Sequence, residues 1–200
     1  MNYRTIALTL LLAATPALAE PPSTDLAKVE GGHFAVDKNH AKIIFSTTHF
    51  GFSTYYGLFT AFDAKLDFDP KAPAKSAVEV TVDMTGIDTT NPKLDTHLKS
   101  PDFLDVAKFP TATFKSTAIE VTGPATGRIT GELTLHGVTK PLTLDATFNG
   151  GGVSPMTKAY VVGFNATGAL KRSEFGVTTY VPVVGDEVHL TISGEFDRVQ

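Results

Sequence analysis

From residue 33 onward the chain alternates apolar and polar residues with a period of two, in one run after another. In Gly57 to Phe68, Leu58, Thr60, Phe62, Ala64, Leu66 and Phe68 share one face, and Asp63, Lys65 and Asp67 the other. That pattern predicts a strand with one buried and one wet face. Ala77 to Met84 repeats it with Val78, Val80, Val82 and Met84 inward, and Thr111 to Val121 follows more weakly around Phe114. Arg128 to Leu135 places Ile129, Gly131, Leu133 and Leu135 together, and Leu142 to Asn149 does so with Leu142, Leu144, Ala146 and Phe148. Tyr160 to Leu170 aligns Val162, Phe164, Ala166, Gly168 and Leu170, and Val188 to Asp197 aligns Val188, Leu190, Ile192 and Phe196. His33 to Asp37 and Lys42 to Thr48 complete the predicted strands.

Asp69-Pro70, Gly123-Pro124, His136-Gly137, Asn149-Gly150-Gly151 and Val184-Gly185-Asp186 punctuate these runs. Turns this short join antiparallel neighbours. About eight or nine such strands imply a closed antiparallel barrel or a two-layer sandwich. Strand length favours the barrel, since a run such as Gly57 to Phe68 would span about 40 Å. Ala64, Gly131, Ala146, Ala166, Gly168 and Gly194 all fall on the inward face. They either leave room for an elongated apolar ligand or relieve crowding where strands coil.

One stretch breaks the period. Asn91 to Pro110 predicts a short helix over residues 92–99, with Asn91 as cap and Pro92 in its first turn. Leu94, His97 and Leu98 share the face expected to pack on the barrel, and Phe103 and Leu104 follow in a second turn. Asp95 and Lys99 are spaced as a solvated i, i+4 ion pair.

Composition narrows the class without changing the fold. The chain has 200 residues, 42% hydrophobic and 19% charged, as one globular domain would have. Arg4, the apolar run Ile6 to Ala14 and Ala17-Leu18-Ala19 form an export signal with expected cleavage after Ala19. Its apolar run is too short for a stable membrane span. Residues 20–32 are expected as a flexible leader and 33–200 as the domain. With no cysteine there is neither disulfide nor acylation site. The formal net charge is −4, one unit more negative once Arg4 is removed, and no basic cluster invites nucleic acid or an anionic membrane surface. No later segment reads as a stable membrane insertion. A periplasmic protein is the simplest expectation, and no oligomeric state is specified.

Several blocks together resemble one known family. These are His40-Ala41-Lys42-Ile43-Ile44-Phe45-Ser46-Thr47-Thr48-His49-Phe50-Gly51 with Gly57-Leu58-Phe59, and Asp95 to Asp105 followed by Phe109-Pro110. Ile129 to Pro141, with its Leu-His-Gly-Val-Thr-Lys-Pro ending, continues the series, as do Gly163 to Ala166 and Lys171 to Gly176. In this order they resemble the YceI-like lipid/polyisoprenoid-binding family from about His33 to Phe196. The resemblance implies an exported, lipocalin-like barrel enclosing a long apolar tunnel for polyisoprenoid chains, quinone tails or related lipids, without cofactor or demonstrated catalysis. Where many members carry Arg before the helix Asp this chain has Leu94, and Leu104 replaces a second Phe. The resemblance therefore does not extend to a helix arginine that would pair with a phosphate head group.

The candidate tunnel wall comprises Phe45, Phe62 and Met84 from the first half and Phe103 from the insert. Phe114, Leu133, Phe148, Phe164 and Leu190 complete it from the later strands. His49, His97 and Arg172 are candidates for a polar mouth. Each has a plainer alternative: a strand-end histidine for His49, a backbone-carbonyl bond for His97, and pairing with Glu174 or Asp186 for Arg172. His136 is placed to serve its turn. The six histidines show no short-spaced metal pair, and neither a G-x-S-x-G elbow nor a phosphate-cradling glycine loop is present. The Asn165-Ala166-Thr167 sequon falls mid-strand and is discounted as a glycosylation site. Three functions remain: a non-catalytic lipid carrier, an enzyme using His49, His97 or Asp95 on a lipid or quinone, and a ligand-free structural or stress-related barrel.

Overall fold

The computed structural model describes residues 20–199; the expected export signal lies outside the described residues. Eleven strands form one sheet: β1 (Gly32–Val36), β2 (Lys42–His49), β3 (Ser53–Phe59), β4 (Phe62–Phe68), β5 (Ala77–Asp83), β6 (Ile87–Asp88), β7 (Thr111–Val121), β8 (Thr126–Leu135), β9 (Val138–Val153), β10 (Tyr160–Lys171) and β11 (Glu187–Arg198). Among the described residues a single α-helix, α1 (Pro92–Lys99), interrupts them between β6 and β7.

The eleven strands make an eight-stranded antiparallel barrel. β11 gives one edge to β10 and shares the other between β1 (Val36 opposite Phe196) and β2 (Lys42 opposite Ser193). β1 and β2 therefore run in line as one interrupted barrel strand. β3 with β4, pairing β2 and β1, are the second, and β5 with β6 are the third. β7 to β10 continue the meander until β11 closes it. Closure leaves no long free edge, which a twisted sheet of this width otherwise exposes.

The interruptions correct one expectation. Gly57 to Phe68 is not a continuous strand: Thr60 and Ala61 form a kink. Thr60 N–H donates to Gly86 O (2.9 Å), and Asp83 N–H donates to Ala61 O (2.9 Å), so this kink is bonded to the neighbouring one at Met84–Gly86. With a side-chain period of two, a slip at the kink exchanges the two faces. Phe59 and Phe62 therefore both point inward, while Leu58 and Thr60, expected inside, do not line the interior. β7 repeats the device: its register shifts between Ser116 and Ala118, so Phe114 and then Ile119 face inward. The remaining alternations hold as expected.

The inward small residues divide into two kinds. At Gly131 an added Cβ would meet Phe114 at 2.5 Å, and at Gly168 it would meet Leu144 at 2.6 Å. These glycines relieve crowding. Ala64, Ala146 and Ala166 instead border open space. Gly131→Ala is expected to cost about 1–3 kcal/mol, because the Lys115 carbonyl at 2.5 Å is backbone and cannot step aside. Urea unfolding measures it; an unchanged midpoint would show the β7–β8 pair to be looser than its register implies.

The two barrel ends differ. At one, Phe34, Phe68, Phe148, Phe164 and Phe196 pack edge-on and tilted, with centroids 5.3 Å apart for Phe148 and Phe164 and 5.4 Å for Phe68 and Phe164. Residues 20–32, expected as a flexible leader, are docked against this end. Ser23 and Gly151 exchange backbone hydrogen bonds of 2.9 Å, and Val29 is 5% exposed within the phenylalanine cluster. Burying Val29 and part of Leu26 supplies the apolar contact that a loose tail lacks. The other end carries α1 and the loops 50–52, 136–137 and 172–186.

Candidate functional site

A cavity of about 390 Å³ runs through the barrel, from Leu26 and Ala125 at the leader end to Leu98, Leu104, Val177 and Val184 at the helix end. Its wall is almost wholly aliphatic and aromatic. Phe45, Phe62, Met84 and Phe103 line it, and so do Phe114, Leu133, Phe148, Phe164 and Leu190. Ala146 and Ala166 are direct cross-strand partners on this wall and make its smallest-sided stretch. Phe59, Ile87 and Val177 also line it. Phe59 escaped sequence reading because of the face exchange. Ile87 and Val177 lie in segments without a readable period.

Of the three mouth candidates, only Arg172 borders the cavity. It is 7% exposed and caged by carbonyl oxygens: Nε donates to Gly185 O (2.9 Å), Nη1 to Val177 O (3.0 Å) and Thr179 O (2.9 Å), and Nη2 to Val184 O (3.0 Å). The expected partner, a carboxylate of Glu174 or Asp186, is therefore replaced by the backbone of the loop that Arg172 begins. A guanidinium has five donors, so among the described residues one Nη2 hydrogen is left without an acceptor. Burial lowers the Arg172 pKa and Asp186 opposes it. Burial likewise acts against the Asp186 charge, but Ser173 N–H (2.9 Å), Ser173 Oγ–H (2.8 Å) and the nearby Arg172 together hold its carboxyl below the ordinary value.

His97 and His49 stand off the cavity wall. His97 Nε2 is 3.2 Å from the Asp102 carboxylate, and its ring meets Phe103 and Tyr180 edge-on at 5.0 and 6.3 Å. It bonds neither a ligand position nor the expected backbone carbonyl. His49 packs against Phe50 at 4.5 Å and Tyr55 at 6.0 Å. His136 accepts its predicted role: it starts the β8–β9 turn at φ +52°, with its Nδ1 3.0 Å from Phe175 O.

The insert folds as its cap signals predict. Asn91 Oδ1 accepts from Leu94 N–H (3.3 Å) and Pro92 opens the helix. Asp95 does not pair with Lys99. Its Oδ1 accepts from the N–H (2.8 Å) and Oγ1–H (2.6 Å) of Thr89, a buried residue on the approach to the helix. An unpaired buried N–H costs about 1–3 kcal/mol, whereas the exposed ion pair would return only a few tenths. Leu98, Phe103 and Leu104 close over the cavity, and Thr179 Oγ1 donates to Asp102 O, fastening the insert to the 172–186 loop.

At this end Met84, Ile87, Phe103, Arg172 and Val177 line the cavity and are buried, while Leu98, Leu104 and Val184 are partly exposed. Of the exposed large apolar residues, Val121 alone lines the cavity, at 51% exposure, so the wall is open to solvent beside the β7–β8 hairpin. On the outer wall, Asp37, His40 and Glu195 bring donor atoms within 4.8 Å of one another. His40 Nδ1 is 2.7 Å from Asp37, and this bond raises the His40 pKa and lowers that of Asp37, as in an exposed ion pair. Among the described residues no helix is long and apolar enough to cross a membrane.

Comparison with known proteins supports the architecture. The family described as YceI-like domain matches residues 34–196. The protein YceI of Salmonella arizonae is 43% identical over 164 residues, covering 81% of this chain and 85% of that one. The crystal structure of Burkholderia cenocepacia BcnA superposes with a TM-score of 0.73 at 26% identity, over 80% of this chain and 98% of BcnA. A polyisoprenoid-binding domain from Saccharophagus degradans, implicated in plant cell wall breakdown, shares the fold at TM-score 0.60 and 9% identity, over 85% of this chain and all of that domain.

Proposed function

This chain belongs to the YceI-like domain family, and on that premise we propose that it binds and carries a long apolar ligand inside its barrel without transforming it. A polyisoprenoid, an isoprenoid quinone tail and a fatty-acyl lipid are the ligand chemistries that fit. The observation that carries this reading is the cavity itself: about 390 Å³ of space with an apolar wall running from end to end. Small-molecule sites occupy roughly 300–1,000 Å³. At about 0.8 kcal/mol per CH₂, a chain of about twenty carbons gains on the order of 15 kcal/mol gross. Ordering and association consume much of that and leave an ordinary affinity.

The wall offers little to the enzymatic alternative. Asp95, His97 and His49, the acid–base candidates, are bonded or stacked elsewhere and none borders the cavity. Arg172, with one hydrogen to spare, is the group best placed to meet an oxygen on the ligand's polar end. The Saccharophagus domain, named for polyisoprenoid binding, supports the same class of ligand through its fold. The periplasm, reached through the export signal, is the proposed location.

Native mass spectrometry of the protein purified from its own host tests this reading. An isoprenoid or acyl adduct is the expected result. A ligand-free barrel that takes up neither prenyl nor fatty-acyl probes would sink the proposal and favour a purely structural role.

A further inference from the structure

Residues 43–62 and residues 175–185 carry no Asp, Glu, Lys or Arg. The fold joins them at the helix end. Phe50 N–H donates to Val183 O (2.8 Å), Gly185 N–H donates to Thr48 O (2.8 Å), and His49 forms a bridge with Val184. Their outer faces display Phe50, Phe52, Tyr56, Tyr180 and Val183, each at least half exposed, with Phe52 at 90%. A cluster of exposed apolar side chains of this kind marks an interaction surface rather than a scatter of single residues. Phe50 and Tyr180 also stand at φ +52° and +61°, where a bulky residue is strained and glycine or asparagine is ordinary. Backbone strain is thus retained at two positions whose rings face solvent.

The inner faces of the same stretches belong to the cavity wall through Thr47, Val177 and Val184. One layer of residues separates the aromatic surface from the cavity. Tyr180 connects the two, with its ring 6.0 Å from Phe103, which lines the cavity beneath.

We infer that this uncharged aromatic surface docks on the lipid–water interface of a membrane, and that ligand passes between bilayer and cavity at the helix end. The second half rests on the carrier reading above. Tyr56 and Tyr180, rings with a polar tip, favour the zone that is apolar on one side and wet on the other, and Phe50 and Phe52 add apolar area to bury there. A hairpin tip enters a soft interface, whereas a folded protein partner needs a broad complementary face. With no Lys or Arg in either stretch, ring burial drives the docking and anionic head groups are not required. A chain insoluble in water resides in bilayers, so a carrier meets it there.

The protein contains no tryptophan, so Phe52→Trp reports from the tip alone. With phosphatidylcholine vesicles its emission is expected to shift to the blue and to be quenched by brominated acyl chains. Met156→Trp, 87% exposed at the opposite end, is expected to do neither. No response at position 52, an equal response at position 156, or a shift that needs high protein concentration and no vesicles each overturns the docking; the last would show a second copy covering the surface. The variant Phe50→Ser/Phe52→Ser is expected to bind a prenyl probe delivered from cyclodextrin as the parent does, but to take it up from vesicles about tenfold more slowly. Equal uptake overturns this route and points to the opening at Val121. Failure of the parent to bind from cyclodextrin sinks the carrier reading instead, and the vesicle response then judges docking by itself.

Discussion

Ala166→Phe is expected to lower the affinity for prenyl and fatty-acyl probes by about tenfold or more, equivalent to about 1.4 kcal/mol, and Ala146→Phe to do the same. The two alanines face each other across β9 and β10 and border open space. A phenyl ring at either place occupies room that a ligand chain would otherwise fill. Every methylene excluded forfeits about 0.8 kcal/mol of burial, so the loss grows with the length of chain displaced. The fold tolerates the change because the ring enters a void and not a packed core, where overpacking would cost about 1–3 kcal/mol. Probe displacement gives the affinity and urea unfolding the stability. A variant that is as stable as the parent and binds normally would show that ligand does not occupy this part of the barrel.

Arg172→Met is the substitution expected to damage the fold most, by about 3–5 kcal/mol. The methionine keeps an apolar stem but removes the donors to Val177, Thr179, Val184 and Gly185. Those carbonyls lie in one loop and lose their common partner together. Arg172→Lys recovers only part of the loss, since one ammonium cannot reach the positions that the planar guanidinium spans. The loop carries Val177 and Val184 into the cavity wall and holds the insert through Thr179. Its loosening is therefore expected to raise proteolysis between 177 and 185 before global unfolding. A Met variant within about 1 kcal/mol of the parent, with an uncut loop, would show that the carbonyl cage is incidental.

What could be read from the residues follows from where a period exists. Strands with one wet face advertise their inner residues, so alternation alone places Val78, Leu133, Leu142, Phe164 and Leu190 on the inward face. The helix was equally legible, because Asn91 and Pro92 are local signals. The kink at Thr60–Ala61 was not. It is fixed by bonds to Gly86 and Asp83, partners distant in sequence, and its effect was to exchange Leu58 for Phe59. The mouth failed for a related reason. Side-chain chemistry nominates His97, His49 and Asp95, but Asp102, Phe103 and Tyr180 hold His97, Phe50 and Tyr55 hold His49, and Thr89 binds Asp95. For Arg172, the sequence offered acids as partners, whereas the loop's own carbonyls were nearer.

The closing of the barrel has a temporal side. β11 completes the ring, and it is the last of the barrel's strands in chain order. Contacts such as Arg198 with Glu30 join residues 168 positions apart. Closing a loop of that length is entropically costly, and topologies dominated by such contacts fold slowly. A chain still missing residues 187–198 exposes the unpaired edges of β10 and of β1 with β2, surfaces on which strands from other molecules can add. The ligand space therefore comes into being only when residues 187–198 are in place, and until then the strands form an open sheet.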